Sequence, residues 1–138
     1  MKREYTTKEI AITLNEIGFN TEGKKYSVLR VLSGDDFSTI SISAFLSLIK
    51  AGVNVIVVPL WQEAIDFFRD KYNIEIEVFR TMTDEDGNNY GCQVIKWSDN
   101  ETDEIGNDYR KTHPEAREFG ILTAINDVKN ILKKNNGK

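Results

Sequence analysis

Cysteine and histidine are nearly missing from this chain, and their scarcity sets the first limits. Cys92 and His113 are the single representatives of their types among 138 residues. An intrachain disulfide is therefore excluded, and too few thiolate and imidazole ligands remain for a zinc site. A reducing, cytoplasmic setting is expected. Proline occurs only at Pro59 and Pro114, and no Pro/Ser-rich or low-complexity tract marks a linker, so one domain over 1–138 is expected. No window approaches the ~18 consecutive apolar residues of a membrane span. The opening MKREYTTKE is charged and lacks the apolar run of a secretory signal, so neither a membrane association nor secretion is expected. A basic excess is also absent. With 18 Lys and Arg against 22 Asp and Glu, the net charge is −4, which disfavours a general nucleic-acid binder because counterion release needs clustered cations. There is no P-loop, dinucleotide-type glycine turn, His-rich metal motif or nucleophile signature. The reading leans away from an enzyme and implies no cofactor and no metal.

What is present is enough for a core: 40% apolar and 29% charged residues in the length of one ordinary domain. The organising stretch is Pro59–Val78. Pro59 supplies a preset φ at the first helical position. Trp61, Ala64, Ile65, Phe68 and Tyr72 then recur at helical period, one apolar stripe with the charges largely elsewhere. Asn73 suits a left-handed cap. Ile74, Ile76 and Val78 alternate with Glu75, Glu77 and Phe79, so the period falls to 2 and a half-buried strand follows.

Earlier in the chain, Thr6 and Glu9 have capping-box spacing ahead of a helix over Thr7–Ile17 that stops at Gly18. Tyr26–Leu32 reads as a strand and Ser33–Asp36 as a turn. The segment 40–51 is ambiguous. Ile40 and Ile42 alternate like a strand, whereas Phe45, Leu48 and Ile49 recur like a helix, and Gly52 favours a helix over about Ser41–Ala51. Val53–Val58 suits a strand covered on both faces. Later, 84–89 reads as a hairpin turn with Tyr90–Trp97 as the return strand. Ser98–Asp108 reads as a polar loop, with a short third strand at Asn107–Lys111. Thr112, Pro114 and Glu115 open the last helix, whose inward register is Ile121, Ala124, Ile125, Val128, Ile131 and Leu132. The expected fold is α+β, a mixed or antiparallel sheet packed against amphipathic helices. It comprises an α-β-α-β portion over about 6–58 and an α-β-β-(β)-α portion over about 59–134.

The segments PLWQEAIDFFRDKYNIEI and HPEAREFGILTAINDVKNIL resemble small uncharacterised open reading frames of phages and prophages, which share a PxWQxAIDWFRxKxNI-like helix-strand and an EAxxxAIxxAI-like final helix. The resemblance covers about half the chain, and its motifs are mostly core positions. It implies a phage accessory protein, with counter-defence as a role. The topology of the C-terminal half also resembles a double-stranded RNA-binding domain, whose last helix opens on a Lys-Lys-x-Ala-Lys motif. Ala116 and Arg117 match that motif, while His113 and Pro114 stand in place of its lysines.

Candidate sites follow from these patterns. Arg110, Lys111, His113 and Arg117 gather cations at a helix start, where free N–H groups attract phosphate. They are the ligand-binding candidates for a nucleic acid or nucleotide. No catalytic partner for His113 is visible from spacing. Phe67 lies off the main apolar stripe, and with the acidic turn Asp84, Glu85 and Asp86 it is the candidate for binding a protein partner. That turn fails the calcium-loop pattern, because Gly87 comes fourth and Ile95 replaces the closing Glu. Cys92 reads as a small core residue. The first expectation is a non-enzymatic interaction module whose partner is a protein. The alternatives are a phosphate-recognising binder at the last helix and an enzyme with a carboxylate site that has no sequence signature.

Overall fold

The computed structural model describes residues 5–19, 28–82 and 87–136. The fold is α+β, with four helices and two three-stranded antiparallel sheets among the described residues, in two compact units, Met1–Trp61 and Gln62–Lys138. No helix among the described residues is long and apolar enough to cross a membrane.

In the first unit, α1 (Lys8–Glu16) is capped by Thr7, whose hydroxyl accepts from the Ile10 N–H at 3.3 Å. Thr6, the cap expected from its spacing to Glu9, is instead buried. Its hydroxyl and N–H both donate to the Pro59 carbonyl, at 3.0 and 2.9 Å. Strands β1 (Val28–Ser33) and β2 (Asp36–Ser41) form a hairpin closed by Gly34 at φ +64, a left-handed value that glycine adopts without strain. The ambiguity over 40–51 resolves at Ser41, which ends β2 and caps α2 (Ile42–Lys50) by accepting from the Ala44 N–H. Both periods read from the sequence were real, end to end.

The strand expected over Val53–Val58 shrinks to β3 (Ile56–Val57), at the edge of a sheet ordered β2-β1-β3. Val53 is spent elsewhere, since its N–H donates to the Leu48 carbonyl across Gly52 and closes the end of α2. It is exposed rather than covered on both faces. Leu32 packs with Ala11 of α1 and Val58.

The second unit opens with α3 (Trp61–Tyr72), which buries Trp61, Ala64 and Phe68 and half-buries Ile65 and Tyr72, the stripe anticipated. The helix begins two residues after Pro59, because the Pro59 carbonyl is held by Thr6 in the preceding segment. Asn73 takes φ 57 and turns the chain into β4 (Ile74–Arg80). β5 (Tyr90–Ser98) and β6 (Glu101–Arg110) complete a sheet ordered β4-β5-β6. The polar loop expected over Ser98–Asp108 is in fact most of a ten-residue edge strand. A two-residue turn with Asn100 at φ 70 pairs Ser98 directly with Glu101. Exposed at six of its ten residues and half-buried at the other four, β6 has no apolar alternation to announce it.

α4 (His113–Asn136) packs across all three strands. Thr112 caps it, accepting from the Glu115 N–H at 3.2 Å, with Pro114 second in the helix rather than first. The helix sits close because Gly120 faces the sheet. A Cβ there would lie 2.5 Å from both Cys92 Sγ and Ile76 Cγ2. Antiparallel partners share a sheet face, so the register places Ile74, Ile76, Val78 and Arg80 with Tyr90, Cys92, Val94 and Lys96 on the face covered by α4. The opposite face carries Glu75, Glu77 and Phe79, then Gln93, Ile95 and Trp97, then Glu104, Asn107 and Tyr109.

Candidate functional site

The cations at the start of α4 are the first candidates to place. The strand register adds two neighbours that sequence spacing had not linked to them, because Arg80, Tyr90 and Arg110 are cross-strand partners. The Arg80 guanidinium lies 6.0 Å from the Tyr90 ring centre, and the Tyr90 ring meets His113 edge-on at 5.9 Å. The signal was available in the hairpin: Thr81 N–H donates to the Asn89 carbonyl, and this pairing sets Arg80 opposite Tyr90.

Arg110 and Arg117 do not converge. Arg110 reaches Asp108 at 2.7 Å, stacks 5.4 Å from the Phe119 ring centre, and lines a hollow of about 410 Å³ with Glu115, Glu118, Leu122, Thr123 and Asn126. Arg117 and His113 line a different hollow of about 340 Å³ with Arg69, Glu75, Glu77 and apolar residues of α3 and β4. Lys111 is exposed and lines neither. Each hollow therefore mixes cations with carboxylates. A phosphate in either would meet acids at the same range as the guanidinium, and at contact distance like charge cancels much of the attraction.

Of the partner-binding candidates, Phe67 is half-buried within α3, edge-to-face with Phe68 at 5.3 Å and with Tyr72 at 5.7 Å. Asp84, Glu85 and Asp86 lie outside the described residues. Cys92 is fully buried under Gly120, and burial raises its thiol pKa to about 11, with a hydrogen bond to the Gly120 backbone pulling weakly the other way. Such a thiol is neutral and poorly reactive at physiological pH. Among the described residues, no group of three or more His, Cys, Asp or Glu side chains could hold a metal ion.

The surface that sequence reasoning missed is on α2. Phe45 is buried and Leu48 half-buried, which defines the inward side. Leu46, Ile49 and Val53 are 57%, 47% and 40% exposed. Ile42, half-buried, with Leu46 and Ile49 are spaced four and three residues apart on α2, the seam by which one helix packs on another, and Val53 follows just past the helix end at Gly52. Ile49, which recurs with Phe45 and Leu48 at helical spacing, does not share their burial. The sequence did carry the signal, because apolar residues occupy more of this helix than one buried stripe can use, and Lys50 is the single charge between Phe37 and Gln62. No protein-family model matches this chain, and neither does any curated protein or solved structure.

Proposed function

We propose that this protein is a phage-type accessory protein that acts by binding rather than by chemistry, docking a host protein in a counter-defence role. The phage assignment is supported by the helix-strand segment PLWQEAIDFFRDKYNIEI and the helix HPEAREFGILTAINDVKNIL. The observation that carries the binding role is the exposed pair Leu46 and Ile49 on α2, with Val53 exposed just past the helix end. Water contact with three large aliphatic side chains on and just after one helix costs free energy that a partner recovers, since burying each contributes about 1.5–3 kcal/mol. A partner helix or apolar groove fits such a seam. The test is affinity capture from host cells with the unmodified protein and with Leu46→Asp/Ile49→Asp, each checked for folding by circular dichroism. Retention of a host protein by the first and its loss from the second is the expected result. The same host proteins retained by both would refute the role given to α2.

A second reading, phosphate recognition at the start of α4, draws support from Arg80 and Tyr90 joining Arg110 and His113. It requires RNA or nucleotide binding that weakens steeply with salt and disappears in Arg110→Glu/Arg117→Glu. The separation of those two arginines into different hollows makes it the lesser reading.

A further inference from the structure

The sheet β4-β5-β6 confines its basic residues to one face, whereas its acids occur on both. Its basic residues, Arg80, Lys96 and Arg110, share the side covered by α4, where Lys96 pairs with Asp127 at 3.1 Å. The opposite side carries Glu75, Glu77 and Glu104 and no lysine or arginine. That same side is unusually aromatic for a surface open to water: Trp97 is 53% and Tyr109 45% exposed. Phe79 and Tyr109 meet edge-to-face at 6.3 Å directly above Gly91, where any Cβ would fall 2.5 Å from the Phe79 ring. The glycine lets both rings settle low on the sheet and form a platform, with Glu77 two residues along the strand from Phe79.

We infer that this open sheet face docks a protein segment rich in lysine and arginine. Aromatic faces attract cations through the ring quadrupole, and flanking carboxylates add charge-assisted hydrogen bonds suited to guanidinium groups. The face disfavours the opposite occupant, nucleic acid, because its strands contribute three carboxylates and no cation of their own, and like charge repels phosphate. Two of the acids have partial engagements that leave the face negative. Glu104 accepts from Gln93 at 3.0 Å, and Glu75 lies near the Arg69 guanidinium. The surface is separate from the seam on α2 and does not require that seam to be an interface.

The experiment titrates isotopically labelled full-length protein with an oligo-arginine peptide, following backbone amide shifts, with an oligo-glutamate peptide and a single-stranded RNA as comparisons. Shifts centred on Gln93, Ile95 and Asn107 are expected with oligo-arginine alone, in binding that weakens as salt rises. Tyr109→Ala should reduce affinity roughly fivefold without changing charge, and Tyr109→Phe should restore it. Glu77→Gln/Glu104→Gln should weaken binding, whereas Glu9→Gln/Glu16→Gln, which removes as much charge from α1, should leave it nearly unchanged. If Tyr109→Ala proves unfolded, the two glutamine pairs decide. Equal loss in both pairs would reduce the effect to net charge and overturn the inference. Shifts mapping to another surface, preference for RNA, or no binding of oligo-arginine would overturn it as well.

Discussion

The two units solve the same problem, covering a three-stranded antiparallel sheet, with unequal means. In Gln62–Lys138 a 24-residue helix lies across every strand, brought close by a glycine at the point of contact. In Met1–Trp61 the strands are six, six and two residues long, and the nine-residue α2 turns only part of its apolar surface inward. Burial scales with the area two elements can share. The long helix therefore spends its apolar residues on its own sheet, while the short one has apolar residues left over. The leftover ones are the ones available to a partner.

The contrast can be broken most forcefully at Gly120. Gly120→Val would drive side-chain atoms into Cys92 and Ile76, and α4 would have to lift from the sheet. Overpacking of this kind costs about 1–3 kcal/mol where a core can yield and more where it cannot. Loss of a cooperative thermal transition for residues 62–138, with amide protection kept by β1 and β2, is the expected signature. Phe68→Ala comes next. The ring is fully buried, and its removal should cost about 3–5 kcal/mol, read as a lower denaturation midpoint. An unchanged midpoint would mean that α3 is held by something other than its stripe.

Cys92 sharpens the comparison by pH. Its thiol is raised to about 11 in the folded chain from an ordinary value of 9.0, so the unfolded chain releases this proton first as pH rises. The stability tied to the neutral thiol is complete below pH 9.0 and is lost progressively toward about 11. Unfolding titrations should show this alkaline loss, and Cys92→Ala should remove it while costing some stability at every pH. Thiol reagents should label the native protein only at the rate at which α4 opens from the sheet. The smallest effect belongs to α2: Leu46→Gln should shift stability by no more than about 0.5 kcal/mol, because that side chain is already in water. A larger drop would place Leu46 in the core and remove the contrast between the units.

The elements legible beforehand were those whose burial imposes a period. α3 and α4 each keep one face in the core, and the residues named for those faces, Phe68, Ile121, Ala124 and Val128, are fully buried. β6 escaped because an edge strand that fully buries none of its residues has no period to read. Glu101, Thr102, Asp103 and Glu104 look like a loop and pair like a strand. Val53 misled for the opposite reason. Its β-branched neighbours suggested a strand, yet its backbone N–H was already committed to ending α2. The cation set named at the start of α4 lies on neighbouring elements, but its division between two hollows depends on which side of the helix each side chain takes. The acid-and-aromatic sheet face could not be listed in advance, because it requires the register of three strands at once.

That register contains one irregularity. Between Val94 and Ile95 the pairing slips by a residue, so Val94 faces Gly106 while Ile95 faces Glu104, and Ile105 is the extra residue. A bulge of this kind reverses parity along the strand. Without it, the two-residue turn at Asn100 would carry a continuous ladder into the far end of β6, and each residue from Gly106 to Arg110 would change sides. Tyr109 would pass beneath α4, and Arg110 would surface among the glutamates. Excision of Ile105 would instead close the ladder with Glu104 opposite Ile95 and Gly106 opposite Val94 as they already stand, so it is the exclusion of this residue from the ladder, rather than its presence in the chain, that decides which partners the surface can attract.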